Sequence, residues 1–99
     1  MEYLIGIDLG TSGVKAIIVD NEGQVIFSKI ESYDINMVKK GWMEQEPEEW
    51  WNGTKKVVGE VVKECGINKE KIKAISFSGQ MHSSVFLDGD NKVLRPAIL

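Results

Sequence analysis

The first residues able to do chemistry lie between Gly6 and Lys15, in the order Gly6-x-Asp8-x-Gly10-Thr11-Ser12-Gly13-x-Lys15. Glycine lets a backbone turn tightly and approach a ligand closely, so the amides around Thr11–Gly13 can converge on one anion. The Thr11 and Ser12 hydroxyls add donors, and Lys15 adds a positive charge just beyond the turn. Asp8 is the member out of place. A carboxylate beside a phosphate is repelled unless a divalent cation lies between them. Mg²⁺ takes one or two carboxylates and completes its shell with water and phosphate oxygens. On residue types alone, the same stretch also describes a plain hairpin whose Thr, Ser and Asp satisfy only their own turn.

A second cluster, Gln80-Met81-His82, brings together an amide, a thioether and an imidazole after an apolar run. A polyol or ketose needs such a setting, with hydrogen-bond partners for its hydroxyls and apolar surface for its C–H faces. A histidine kept for structure alone is the other reading of this triplet.

The two clusters cooperate only if the fold brings them together. Leu4–Leu9 and Val14–Val19 are short Ile- and Val-rich runs on either side of Gly10–Gly13, the pattern of an antiparallel hairpin. Both are apolar at nearly every position, as in strands covered on both faces. Asp20–Gly23 reads as a turn and Gln24–Tyr33 as a third strand of looser alternation, suited to an outer position. Residues 34–46 are polar and irregular, and no element is predicted there. Pro47 opens a helix at the position proline tolerates, with Glu48 and Glu49 at the positive end of its dipole. Trp51, Thr54, Val58, Val61, Val62 and Cys65 form an apolar stripe that packs on the sheet, and Gly66 is the expected residue past the helix end. Trp50 and Trp51 read as core and rim packing. Ile72–Ser78 is a fourth strand, apolar on both faces, and short strands Val85–Asp88 and Lys92–Leu94 flank a later turn.

These elements give an α/β fold with a mixed sheet. If strands three and four are parallel, the right-handed crossover rule applies to the helix between them. The simplest order is then 3-2-1-4, with strands one and four as parallel neighbours. That order sets Asp8–Gly13 beside Gly79–His82, on the rim where open α/β sheets bind ligands.

Composition narrows the class. The chain has 99 residues, 42% hydrophobic and 27% charged, enough for one modest core. A net charge of −3 with twelve dispersed Lys and Arg residues argues against a nucleic-acid surface. The one cysteine, Cys65, excludes an internal disulfide, fits a reducing compartment and reads as a small buried hydrophobe. No apolar run approaches the ~18 residues of a bilayer span. Met1-Glu2-Tyr3 lacks the basic start of a signal peptide, so a cytoplasmic protein without a membrane partner is expected. A sheet buried on both faces needs helices on both, and one long helix is predicted. Residues 1–99 are therefore expected to be the front of a longer chain.

The ordered Gly6-x-Asp8-x-Gly10-Thr11-Ser12-x-x-Lys15 closely resembles the first phosphate motif of the sugar-kinase, actin and heat-shock-chaperone ATPase superfamily. The resemblance implies a ribonuclease-H-like (actin-like ATPase) domain that binds ATP and Mg²⁺. Asp8 would lie on the metal side, and Gly10, Thr11, Ser12, Gly13 and Lys15 about the phosphates. Ser76-x-Ser78-Gly79-Gln80-Met81-His82, Leu87-Asp88, Arg95-Pro96-Ala97-Ile98-Leu99 and Gly41-Trp42-x-Glu44-Gln45-x-Pro47-x-x-Trp50-Trp51 resemble the xylulose kinases of the FGGY carbohydrate kinase family. This resemblance covers essentially the whole chain. It implies ATP-dependent phosphorylation of D-xylulose, with Gln80, Met81 and His82 on the sugar. Ser83 departs from the glycine common after the histidine in these kinases, and can narrow the pocket or add a hydroxyl. Gluconate, glycerol, ribulose or a deoxy sugar is the alternative substrate, and a non-catalytic actin-like ATP-binding module is the alternative outside enzymes. The family's aspartate general base and adenosine-binding segments lie beyond Leu99, so no catalytic residue is assigned. Residues 1–99 are then the N-terminal part of the first kinase domain, with the second domain absent, and are expected to be inactive alone. A homodimer of the full-length enzyme is compatible with this resemblance.

Overall fold

The computed structural model describes residues 1–80 and 83–99. In chain order the elements are β1 (Tyr3–Leu9), β2 (Gly13–Asp20), β3 (Val25–Ser32), β4 (Asn36–Lys39), β5 (Trp42–Gln45), α1 (Pro47–Glu64), β6 (Ile72–Ser78) and β7 (Ala97–Ile98). The main sheet has the order β3-β2-β1-β6, antiparallel except for the parallel pair β1–β6. This is the predicted 3-2-1-4 arrangement, with α1 as the crossover.

Alternation along the central hairpin builds the core. Ile5 and Ile7 of β1 lie opposite Ile18 and Ala16 of β2, and with Val14 they pack against Val57 and Val61 of α1. Gly53 lets the helix come close, because a Cβ there would stand 3.0 Å from Val14 Cγ1. Phe27, Lys29 and Glu31 continue the helix-facing side along β3. The two charged residues pair at its edge, Lys29 with Glu64 at 3.3 Å and Glu31 with Lys56 at 3.0 Å.

Four expectations need correction. The strands are covered on one face only within these residues, leaving Leu4, Ile26 and Ile30 exposed on the other. β6 has its predicted bounds but only Ile72 packs against the core, and Phe77 is 62% exposed. The helix stripe holds at Thr54, Val58, Val61, Val62 and Cys65 but fails at its first member. Val57 is buried, whereas Trp51 is 57% exposed with the Lys55 ammonium over its ring. Residues 34–46 are also not irregular. They hold β4 and β5, joined at Gly41 (φ +83°) and extended by β7 into a second, antiparallel sheet.

Two turns share one device. Asp20 Oδ1 accepts from Glu22 and Gln24 amides, and Asp88 Oδ1 accepts from Asp90 and Lys92 amides. The third residue after each aspartate, Gly23 or Asn91, is left-handed (φ +84° and +63°). Asp88 thus closes the predicted later turn, where Leu87 and Val93 make an isolated bridge. Among the described residues no helix is long and apolar enough to cross a membrane.

Ile18 is completely buried under α1. Ile18→Ala is expected to destabilise the fold by about 2–5 kcal/mol, measured by urea denaturation. A loss well below 1 kcal/mol would contradict this account of the core.

Candidate functional site

The parallel register of β1 and β6 pairs Asp8 with Ser78, so both strands end on one rim. Ser78 Oγ donates to Asp8 Oδ1 at 3.0 Å. On its other side Asp8 faces Lys15 across the β1–β2 ladder. A cavity of about 340 Å³ opens over this sheet face, lined by Gly6, Asp8, Lys15, Ser76 and Ser78 among others. A second, of about 370 Å³, lies over the β1–β2 turn and is lined by Asp8, Gly10, Thr11, Ser12, Gly13 and Lys15. Asp8 and Lys15 border both. The residues singled out from the first motif therefore surround one continuous surface.

The turn itself is tied down from within. Gly10 N–H donates to the Gly13 carbonyl at 2.9 Å. Neither glycine adopts a positive φ, so the freedom to turn sharply is not what they supply. Gly13 is needed for close approach, since a Cβ there would lie 2.5 Å from the Glu31 carbonyl oxygen of β3. Around the turn, side chains reach for carbonyls. The Tyr33 hydroxyl donates to Gly10 O and also to Gly13 O at 3.1 Å. Gln45 Nε2 donates to Thr11 O at 2.6 Å, and Gln80 Nε2 donates to Gly10 O at 3.2 Å.

Those bonds have a consequence on the outer side. In a trans peptide the C=O and the following N–H point in opposite directions. Holding the Gly10 and Thr11 carbonyls inward turns the Thr11 and Ser12 amides outward, into the surface over the turn. Neither amide has a backbone carbonyl partner among the described residues. Two outward amides, two exposed hydroxyls and Lys15 form a donor set suited to phosphate oxygens. Asp8 fits the metal side of such a site. Among the described residues no cluster of three or more His, Cys, Asp or Glu could hold a cation alone. One exposed carboxylate suits a hydrated Mg²⁺ that shares phosphate oxygens.

Gln80 sits at the end of β6, with Nε2 on Gly10 O and on Gln45 Oε1 and with Oε1 accepting from Ser83 Oγ. Met81 and His82 lie outside the described residues. Sequence reasoning missed Tyr33, Gln45 and Trp50 as parts of this site. Trp50 Nε1 donates to Gln45 Oε1 at 2.9 Å, and Gln45 is fully buried. The one signal for Gln45 and Trp50 was their place in an ordered motif, whereas Tyr33 only continued the inward-facing alternation of Phe27, Lys29 and Glu31.

Burial, and after it the negative charge of Asp8, push the Tyr33 phenol above its ordinary pKa. The folded state therefore favours the protonated hydroxyl that donates to the turn. Its stabilising contribution is complete below the unfolded value of about 10 and is lost as pH rises through the raised folded value. Tyr33→Phe should cost about 1 kcal/mol at pH 7, and urea titrations should show the gap to wild type closing above about pH 10. A gap that persists unchanged into strong alkali would mean that the hydroxyl proton contributes nothing.

Residues 3–99 match the FGGY family of carbohydrate kinases, N-terminal domain. The chain is 46% identical over 99 residues to a xylulose kinase of Bacillus subtilis (strain 168), covering all of this chain and 20% of that protein. Among solved structures it superposes on a xyloylose kinase from Brucella ovis with a TM-score of 0.94 at 34% identity, covering 99% of this chain and 21% of the other. A gluconate kinase from Lactobacillus acidophilus gives a TM-score of 0.90 at 31% identity, covering 98% and 19%. The chain thus spans about a fifth of the length of these relatives. The mixed β3-β2-β1-β6 sheet is the start of the ribonuclease-H-like, actin-like ATPase fold. With the match running from Tyr3 to Leu99, the chain belongs to the FGGY family of carbohydrate kinases.

Proposed function

We propose that the protein is an ATP-dependent sugar kinase that converts D-xylulose to D-xylulose 5-phosphate. The observation that carries this reading is the β1–β6 rim, where Asp8 and the Thr11–Gly13 turn stand beside Ser78 and Gln80. In-line phosphoryl transfer depends on positioning and charge neutralisation more than on covalent chemistry by the protein. The residues divide accordingly. The outward Thr11 and Ser12 amides, their hydroxyls, Gly10, Gly13 and Lys15 take the phosphates of ATP. Asp8 holds the hydrated Mg²⁺, which supplies positive charge to the transferring group when bound. Gln80, Met81 and His82 take the sugar. Residues 1–99 supply the first part of the first kinase domain, with the general base elsewhere in a longer protein. On this reading these residues alone turn nothing over, and the enzyme works in the cytoplasm.

D-xylulose is preferred because the relative from Bacillus subtilis carries that name at 46% identity over this whole chain. The likeness to a gluconate kinase supports a second reading, in which the same rim takes another polyhydroxylated substrate. Assay of the complete protein with MgATP against xylulose, ribulose, gluconate, glycerol and a deoxy sugar separates the two. A protein active on none of them, which forms nucleotide-dependent filaments instead, would be an actin-like binding module.

Two substitutions test the assigned roles in the complete protein. Asp8→Ala should lower kcat by on the order of 10²–10³, as removal of other charge-stabilising groups does, with sugar affinity nearly unchanged. A near-normal kcat would return Asp8 to a turn residue. His82→Ala should lower kcat/KM for the preferred sugar about ten- to a hundredfold, and by much less for a sugar that lacks the contacted hydroxyl. An equal loss for every sugar would make the histidine a scaffold residue.

A further inference from the structure

Gln45 is a neutral side chain with no exposure at all, and its amide is saturated. Nε2 donates to Thr11 O at 2.6 Å and to Asp34 O at 3.3 Å, while Oε1 accepts from Trp50 Nε1 at 2.9 Å and from Gln80 Nε2 at 3.3 Å. A primary amide has two donor hydrogens and two acceptor lone pairs, so each is used once. The orientation is self-consistent. Rotating the amide by half a turn would set its oxygen against two carbonyls and its nitrogen against two N–H groups. An interaction set of this kind is satisfied in one geometry only.

The partners of that amide belong to separate parts of the rim. Thr11 is in the phosphate turn, Trp50 is in the first turns of α1, and Gln80 follows β6 at the sugar end. Gln80 also reaches Gly10 O, which closes a loop of hydrogen bonds through Gln45. The Thr11 carbonyl that Gln45 holds inward is the one whose peptide presents the Ser12 amide outward. We propose that Gln45 is a positioning residue that couples the two halves of the site. It aims the Ser12 amide at the nucleotide phosphate and fixes Gln80 beside the sugar, so a ligand seated on either half holds the shared amide in its one satisfied geometry and lowers the ordering cost for the other ligand. This inference rests on the sugar-kinase reading above. Neither ligand touches Gln45 itself.

The test measures coupling in the complete protein. The dissociation constant of xylulose is determined by calorimetry with and without a non-hydrolysable MgATP analogue, and KM and kcat are measured alongside. Gln45→Leu keeps the apolar bulk and deletes the amide. It should raise KM for MgATP about three- to tenfold, the scale of one lost hydrogen bond, and bring the ratio of the two sugar constants towards one. Trp50→Phe keeps an aromatic side chain at this half-buried position and removes the indole donor with the ring that carries it. It should move both readouts in the same direction by less, with a smaller drop in melting temperature than Gln45→Leu, which separates positioning from folding if Gln45→Leu proves too unstable. Variants that melt earlier yet keep the wild-type KM and coupling ratio would make Gln45 a fold residue and overturn the inference alone. A wild type that binds nucleotide and sugar without coupling overturns it as well, and leaves the kinase reading intact. A wild type that neither binds MgATP nor phosphorylates any sugar overturns both.

Discussion

The parallel ladder between β1 and β6 is the constraint on which the rest of the structure depends. Residues far apart in sequence become neighbours because that ladder pairs Leu4 with Ala74 and carries the register through to Asp8 and Ser78. A parallel pair needs a long crossover, and α1 supplies it while also providing the cover for Ile5, Ile7 and Ile18. One helix therefore builds the core and the rim together. The irregularity in the ladder falls between Tyr3 and Leu4, at the end away from the site. Pairing at the rim end is regular, and the Ser78–Asp8 hydrogen bond sits there.

The β1–β2 turn is organised in the reverse of an ordinary surface turn. Its carbonyl oxygens are taken by side chains behind it, from Tyr33, Gln45 and Gln80. Buried carbonyls must find donors, and these three donors come from three different segments. The second sheet, β4-β5-β7, matters to function for this reason. It carries Gln45 at the last position of β5, immediately before α1 begins, and β7 clamps that position by pairing Ala97 with Gln45. Through Gln45 the second sheet fixes the residue behind the turn.

Periodic features were legible in the sequence and singular ones were not. The hairpin, the crossover helix, β6 and the sheet order all followed from apolar runs broken by Gly and Pro, because burial imposes a period. β4 and β5 gave no such signal. Their residues are largely exposed, with Met37 and Trp42 outward and Lys39 stacked over the Trp42 ring, so burial imposes no alternation there. Along α1 only the edge of the stripe was misread, because Trp51 is large and apolar, whereas the contact face there is narrowed by Gly53 and filled by Val57. At the candidate site, Asp8, Thr11, Ser12 and Lys15 were singled out from their residue types and order, and the structure brings them to one surface. Tyr33 and Gln45 were not singled out, since a tyrosine at a strand end and a glutamine before a helix are ordinary until their partners are seen.

Strand parity ties the core to the chemistry. Side chains alternate along a strand, so the register that sends Ile5 and Ile7 under α1 necessarily sends Gly6 and Asp8 to the open face. The same holds on β2, where Val14, Ala16 and Ile18 are buried and Lys15 is exposed. A slip of one residue would exchange the faces. It would bring Asp8 and Lys15 under Val57 and Val61, and leave the isoleucines in water. Taking that carboxylate and ammonium out of water into the apolar layer would cost several kcal/mol in desolvation for each ion, far more than any local preference of the turn could offset. The site therefore needs no separate device to aim Asp8. Burial of five aliphatic side chains in β1 and β2 sets the register, and the position of the carboxylate on the rim follows from it.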